Sequence, residues 1–168
     1  MTDFTVLYRR YAPLVRRFSL FLCGDPVLAD DLTSETFTRV WTAGGDVRQD
    51  TVKAYLFTIA RNLYRDSLRR SRRRESLPAH FQDERASAER QTEDRSELGF
   101  VLSAMQSLPD SDRAALLMRA QEEMSYRDIA RVLGITVAAA KVRVHRARLK
   151  LLSLTRAGTT TSDASEKP

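Results

Sequence analysis

Residues 125–151 read SYRDIARVLGITVAAAKVRVHRARLKL. Ser125 followed three residues later by Asp128 is a capping box, a side-chain oxygen and a carboxylate placed on the orphan amides of a first helical turn. A helix therefore starts near Tyr126. Ile129, Val132 and Leu133 form its apolar stripe, Ala130 is small enough for a close helix contact, and Gly134 turns the chain with positive φ. Thr136 caps a second helix. On it Ala140, Val144, Ala147 and Leu151 recur at helical spacing and face inward, which leaves Lys141, Val142, His145 and Arg146 on another face. A solvated surface helix needs basic residues but none of this order. Two capped helices around a glycine turn, the second loaded with positive charge, spell a helix-turn-helix whose outer face fits a major groove.

The 168 residues suffice for one ordinary domain or two small ones. Lys and Arg number 28 against 22 Asp and Glu, a net charge of +6, which points to acidic partners. The positive charge is concentrated. Arg61, Arg65, Arg69, Arg70, Arg72, Arg73 and Arg74 oppose only Asp66, and the helix-turn-helix carries the second cluster. Two basic surfaces imply two contacts with nucleic acid. A single cysteine, Cys23, excludes an internal disulfide, and no Cys/His spacing fits a metal. No cofactor is expected. No apolar run approaches a membrane span, and the first residues, MTDFTVLYRRY, lack the apolar core of a signal peptide. Membrane insertion is not expected, and the expected location is the cytoplasm.

Phe4, Leu7, Tyr8, Tyr11, Leu14, Val15 and Phe18 mark an amphipathic helix that Pro13 is expected to kink or break. Asp25 and Pro26 open a second helix through Leu28, Leu32, Phe37, Val40 and Trp41, which Gly44 and Gly45 close. Thr51 starts a third, with Val52, Tyr55, Leu56, Ile59, Ala60, Leu63 and Leu68 as its stripe. Residues 76–95 are too polar to build a core and read as a flexible linker. Leu98, Val101, Leu102, Met105 and Leu108 resume a helix, and Ala114, Leu117 and Met118 mark another after a turn at Pro109 and Asp110. No strand pattern and no repeat appears. The expected fold is all-α: a helical domain over 1–75, the linker, a four-helix domain over 96–155, and a disordered tail over 156–168.

Taken in order, these segments resemble an extracytoplasmic-function sigma factor. ADDLTSETFTRVW, residues 29–41, is similar to that family's helix that docks on the polymerase clamp; AYLFTIARNLYRD, residues 54–66, to its minus-10 helix. LPDSDRAALLMR from Leu108, with the helix-turn-helix, is similar to its minus-35 reader. The resemblance implies core RNA polymerase, promoter DNA and an anti-sigma factor as partners, no stable homo-oligomer and no catalytic role. It implies a docking face of Asp30, Asp31, Leu32, Glu35, Phe37 and Arg39, although carboxylates near a helix start are also favoured by the dipole alone.

Capturing unstacked bases calls for aromatic surfaces and base-edge donors beside a basic track. Tyr55, Phe57, Asn62, Arg61, Arg65 and Arg69 supply those types, with core packing an equal reading for Tyr55. By resemblance, the loop from Gly44 to Thr51 holds a flipped minus-10 base. Lys141, Val142, His145 and Arg146 match base-facing positions of the minus-35 reader, while Arg143 and Arg148 fit phosphate grips. Glu123 stands at a turn site where the family often has glycine. Two other classes stay open on the residues alone. A stand-alone helix-turn-helix regulator would bind its operator unaided, usually as a dimer. A nucleic-acid enzyme finds little support, because His80 and His145 lie apart and no carboxylate cluster or glycine-rich phosphate loop is present.

Overall fold

The computed structural model describes residues 3–44, 47, 52–76 and 96–163. Among these residues the chain is helical, without strands. Most of the Gly44–Thr51 loop, nearly all of the linker over 76–95, and residues 164–168 lie outside the described residues.

Helix α1, Phe4–Cys23, starts where the Asp3 carboxylate accepts the Thr5 amide and stops where Gly24 turns left-handed at φ 72°. Pro13 neither breaks nor ends it. The proline has no amide for the carbonyl of Arg9, but Leu7 before it and Val15, Phe18 and Leu22 beyond it are all buried in one core, so tertiary packing keeps both halves helical. Helix α2, Pro26–Thr42, opens on Asp25, whose carboxylate accepts the amides of Val27 and Leu28. Helix α3, Val52–Glu75, closes the bundle against α1 and α2. At its centre the rings of Phe18 and Phe57 stack at 4.5 Å.

The second group begins with α4, Glu97–Gln106, capped by Ser96. Then come α5, Asp110–Ala120, α6, Tyr126–Leu133, and α7, Val137–Asp163. Met118, Ile129, Val132, Ala140, Val144 and Ala147 are buried between them. Helix α7 runs well past Leu154, so the expected disordered tail is corrected as far as Asp163. No proline interrupts residues 137–163, and extending a formed helix costs far less than nucleating one.

The two groups share one core, with α5 and α4 lying on α1 and α6 on α3. Arg113, from α5, is the pin between them. Only 5% exposed, its guanidinium donates to the carbonyls of Met105 (2.8 Å) and Leu108 (2.9 Å) in its own group, and across the seam to the Leu22 carbonyl and the Tyr64 hydroxyl. Gln106 also reaches the Leu22 carbonyl, at 3.2 Å. The end of α1 thus finds its missing hydrogen-bond partners in the other group. Gly24 suits this turn because its φ of 72° would strain any other residue, and a Cβ would also press on the Gln106 side-chain amide at 3.0 Å. A second tie is Glu122, a buried carboxylate that takes Arg17 at 2.6 Å and faces Lys53 at 3.9 Å.

Two stability predictions follow from this packing. Arg113→Ala leaves several buried acceptors unpaired and lowers the unfolding free energy by about 3 kcal/mol in a urea titration; a loss below about 1 kcal/mol, the size of an average substitution, contradicts its role as the pin. Glu123 adopts φ 53°, the left-handed conformation expected at a glycine site. Glu123→Gly removes about 1–2 kcal/mol of strain against about 0.5–1 kcal/mol of glycine entropy, so the thermal midpoint rises slightly, and a fall contradicts the reading.

Candidate nucleic-acid interface

The helix-turn-helix forms as its caps dictate. The Ser125 hydroxyl accepts the Asp128 amide at 3.1 Å, and the Thr136 hydroxyl accepts the Ala139 amide at 3.1 Å. Between them Gly134 sits at φ 65°, and the Ile135 amide returns to the Ala130 carbonyl at 3.0 Å. This closure sets the angle between α6 and α7. Ala140, Val144 and Ala147 are buried, so Lys141, Val142, His145, Arg146 and Arg148 are turned outward and exposed, with Arg143 half-buried.

These cations are held from behind. The Asp112 carboxylate, from the first turn of α5, accepts Nε of Arg146 at 3.1 Å and its Nη2 at 2.9 Å, and faces Nη1 of Arg143 at 3.4 Å. The ammonium of Lys141 lies 5.7 Å from the centre of the Tyr126 ring. Asp112 escapes a sequence reading because an acid in the first turn of a helix needs no further reason to be there.

On α3 the expected residues divide by depth. Tyr55, Asn62, Arg65 and Arg69 are exposed, and their seven-, three- and four-residue steps place them on one outward stripe. Tyr55 thus falls on the surface side of its two readings, at 38% exposed. Phe57 does not belong with them. It is 1% exposed and stacked on Phe18, so its assignment as a base-stacking surface is corrected to core. Arg61 is buried under α5, with Nη2 3.2 Å from the Ser111 hydroxyl and 3.7 Å from an Asp110 carboxylate oxygen. Its Nε has no hydrogen-bond partner among the described residues, and burial pushes the guanidinium pKa down. In this arrangement Arg61 does not face solvent.

The expected docking residues on α2 divide in the same way. Asp31 and Glu35 are exposed one turn apart, and they line a groove against α3 with Arg39, Ser67 and Arg70. Glu35 meets Arg39 at 3.4 Å and Asp30 meets Arg16 at 2.7 Å. Leu32, although buried, lines the same groove, whereas Phe37 is buried in the core outside it, and its assignment to a docking face is corrected. Phe37 instead anchors an aromatic cluster, 4.9 Å from Tyr8. That cluster includes Trp41, which is exposed although it continues the apolar stripe of α2.

No group of three or more His, Cys, Asp or Glu among the described residues is placed to hold a metal, and no described helix is long and apolar enough to cross a membrane. Cys23 is half-buried, and burial pushes its thiol up to about 11.

Comparison with known proteins matches these groups one by one. The Sigma-70 region 2 profile fits residues 7–74, and the Sigma-70, region 4 profile fits residues 101–151. The chain is 34% identical to the ECF RNA polymerase sigma factor SigE of Mycolicibacterium smegmatis, over 90% of this chain and 61% of that protein. It is 37% identical to the ECF RNA polymerase sigma factor EcfG of Rhodopseudomonas palustris, over 84% of this chain and 79% of that one. The chain thus spans less than two thirds of SigE but most of EcfG. Among solved structures it is similar to the sigma factor RpoE in complex with the anti-sigma factor NepR from Bartonella quintana, at TM-score 0.75 and 25% identity, covering 93% of this chain and 98% of that one. With both region profiles in order and whole-length likeness of this kind, the chain belongs to the ECF RNA polymerase sigma factor family.

Proposed function

We propose that this protein is an initiation subunit of bacterial RNA polymerase, without chemistry of its own, that acts in the cytoplasm. The observation that carries the reading is the pair of outward basic faces on separate helical groups: Tyr55, Asn62, Arg65 and Arg69 on α3, and Lys141, Val142, His145 and Arg146 on α7. The α3 stripe combines one aromatic face, one amide and a line of guanidiniums, the groups that hold a splayed single strand. The α7 face is a helix-turn-helix reader for duplex. Together they fit a melted minus-10 element and a paired minus-35 element, with Arg143 and Arg148 beside the phosphates. The acidic surface of Asp31 and Glu35 on α2 is where core polymerase docks.

Arg61 fits the minus-10 track by position, but it meets DNA only once α5 has moved off α3, since Ser111 and Asp110 cover it here. The arrangement described is in that respect a resting one. An anti-sigma factor that holds the protein in this arrangement fits the likeness to RpoE, which was crystallised with NepR.

Two substitutions separate the tasks. Lys141→Ala with Arg146→Ala removes two base contacts worth about 1–3 kcal/mol each, so transcription from minus-35-dependent promoters falls at least tenfold while co-elution with core polymerase persists; equal loss of both contradicts the assignment. Asp31→Ala with Glu35→Ala weakens co-elution with core polymerase, and unchanged polymerase affinity moves the docking face elsewhere.

A further inference from the structure

The contacts of Asp112 go beyond helix capping. Its carboxylate is buried, at 5% side-chain exposure, while the Arg146 it pairs with is 58% exposed. Arg143, the second partner, is 30% exposed. One buried negative charge therefore faces two guanidiniums, and a positive charge is left over at the surface. The contact to Arg146 is a fork, with both carboxylate oxygens engaged, and a fork fixes the plane of the guanidinium as well as its position. It occupies the Nε edge, so donors on Nη1 and Nη2 remain directed away from Asp112.

From this geometry we propose that Asp112 is a positioning residue for promoter recognition: it holds Arg143 and Arg146 in the orientations in which α7 presents them to minus-35 DNA. The inference rests on the reading of α7 as the minus-35 reader. An arginine free to rotate gives up conformational entropy when DNA orders it; an arginine already forked to a buried carboxylate has given up most of it in folding. The opposite effect, in which Asp112 competes with phosphate for Arg146, requires the carboxylate to be displaced. Asp112 lies on α5, packed against α7 within one core, so the arginine keeps its fork while its outer edge meets DNA.

The test uses holoenzyme reconstituted with core polymerase and a promoter panel carrying single-base changes across the minus-35 element. Asp112→Asn lowers minus-35-dependent initiation about fivefold, as expected for releasing one or two rotamer-rich side chains. It flattens base preference at the positions that Arg146→Ala affects, and leaves core affinity unchanged. In an Arg146→Ala background the same change has much less effect. Higher DNA affinity in Asp112→Asn overturns the proposal, as does an undiminished loss in the Arg146→Ala background. If Arg146→Ala itself leaves minus-35 initiation intact, the assignment of α7 fails and the inference falls with it, whereas an effective Arg146→Ala beside a silent Asp112→Asn overturns the inference alone. A measurement on the unaltered protein covers the case in which Asp112→Asn does not fold: the Arg146 Nε–H order parameter in the free protein stays above about 0.6, and a value below that marks a freely moving side chain and contradicts positioning.

Discussion

The buried guanidinium of Arg113 is the most fully bonded polar tie between the two halves of this protein. Arg113 carries a full charge into a site where it is 5% exposed, and such a charge is tolerable only if its donors are satisfied. The partners come from both sides of the seam. Carbonyls of Met105 and Leu108 hold it from the second helical group, while the Leu22 carbonyl and the Tyr64 hydroxyl hold it from the first. Those bonds complete the C-terminus of α1, which is why Gly24 and Gln106 are fitted so closely to one another. Glu122 repeats the arrangement with opposite sign, as a buried carboxylate reached by Arg17 and Lys53 from across the seam.

The exposure of the residues proposed to face DNA depends in part on this seam. With α5 pressed on α1 and α6 on α3, Arg61 is the one expected minus-10 cation withheld from solvent. Its pairing is incomplete, with a 3.7 Å approach to Asp110 and an unpartnered Nε among the described residues. The proposed function has promoter phosphates compete with this incomplete pairing for Arg61. The α7 face is held in the contrary way, since Asp112 backs Arg143 and Arg146 without covering their outer edges. One helix, α5, thus covers a cation of one face and supports the cations of the other.

Much of this was legible in the sequence. Caps at Ser125, Thr136 and Asp25 and the turn at Gly134 form as their side-chain chemistry predicts, and the inward and outward positions of α7 follow its helical period. Depth was harder to read. Phe57, Leu32 and Phe37 lie beside the surface residues they were grouped with, but a short motif does not tell which turn of a helix meets a neighbour, and all three are buried. Pro13 does not break α1, because the core on both sides of it outweighs the local preference of proline. Arg113, Glu122 and Asp112 gave no signal, because their partners stand at sequence separations of up to 91, 105 and 34 residues, and no local pattern encodes such pairings.

At the centre of the proposed function, two DNA faces on one chain act only through core polymerase. Permanganate and hydroxyl-radical footprinting of a genomic promoter fragment, with the protein alone and with core polymerase added, tests this directly. Protection at the minus-35 element together with reactive thymines at the minus-10 element, both requiring core polymerase, is the predicted result. Tight, sequence-specific protection by the protein alone, with no melted bases when polymerase is added, contradicts the claim and identifies a regulator that reads its operator unaided.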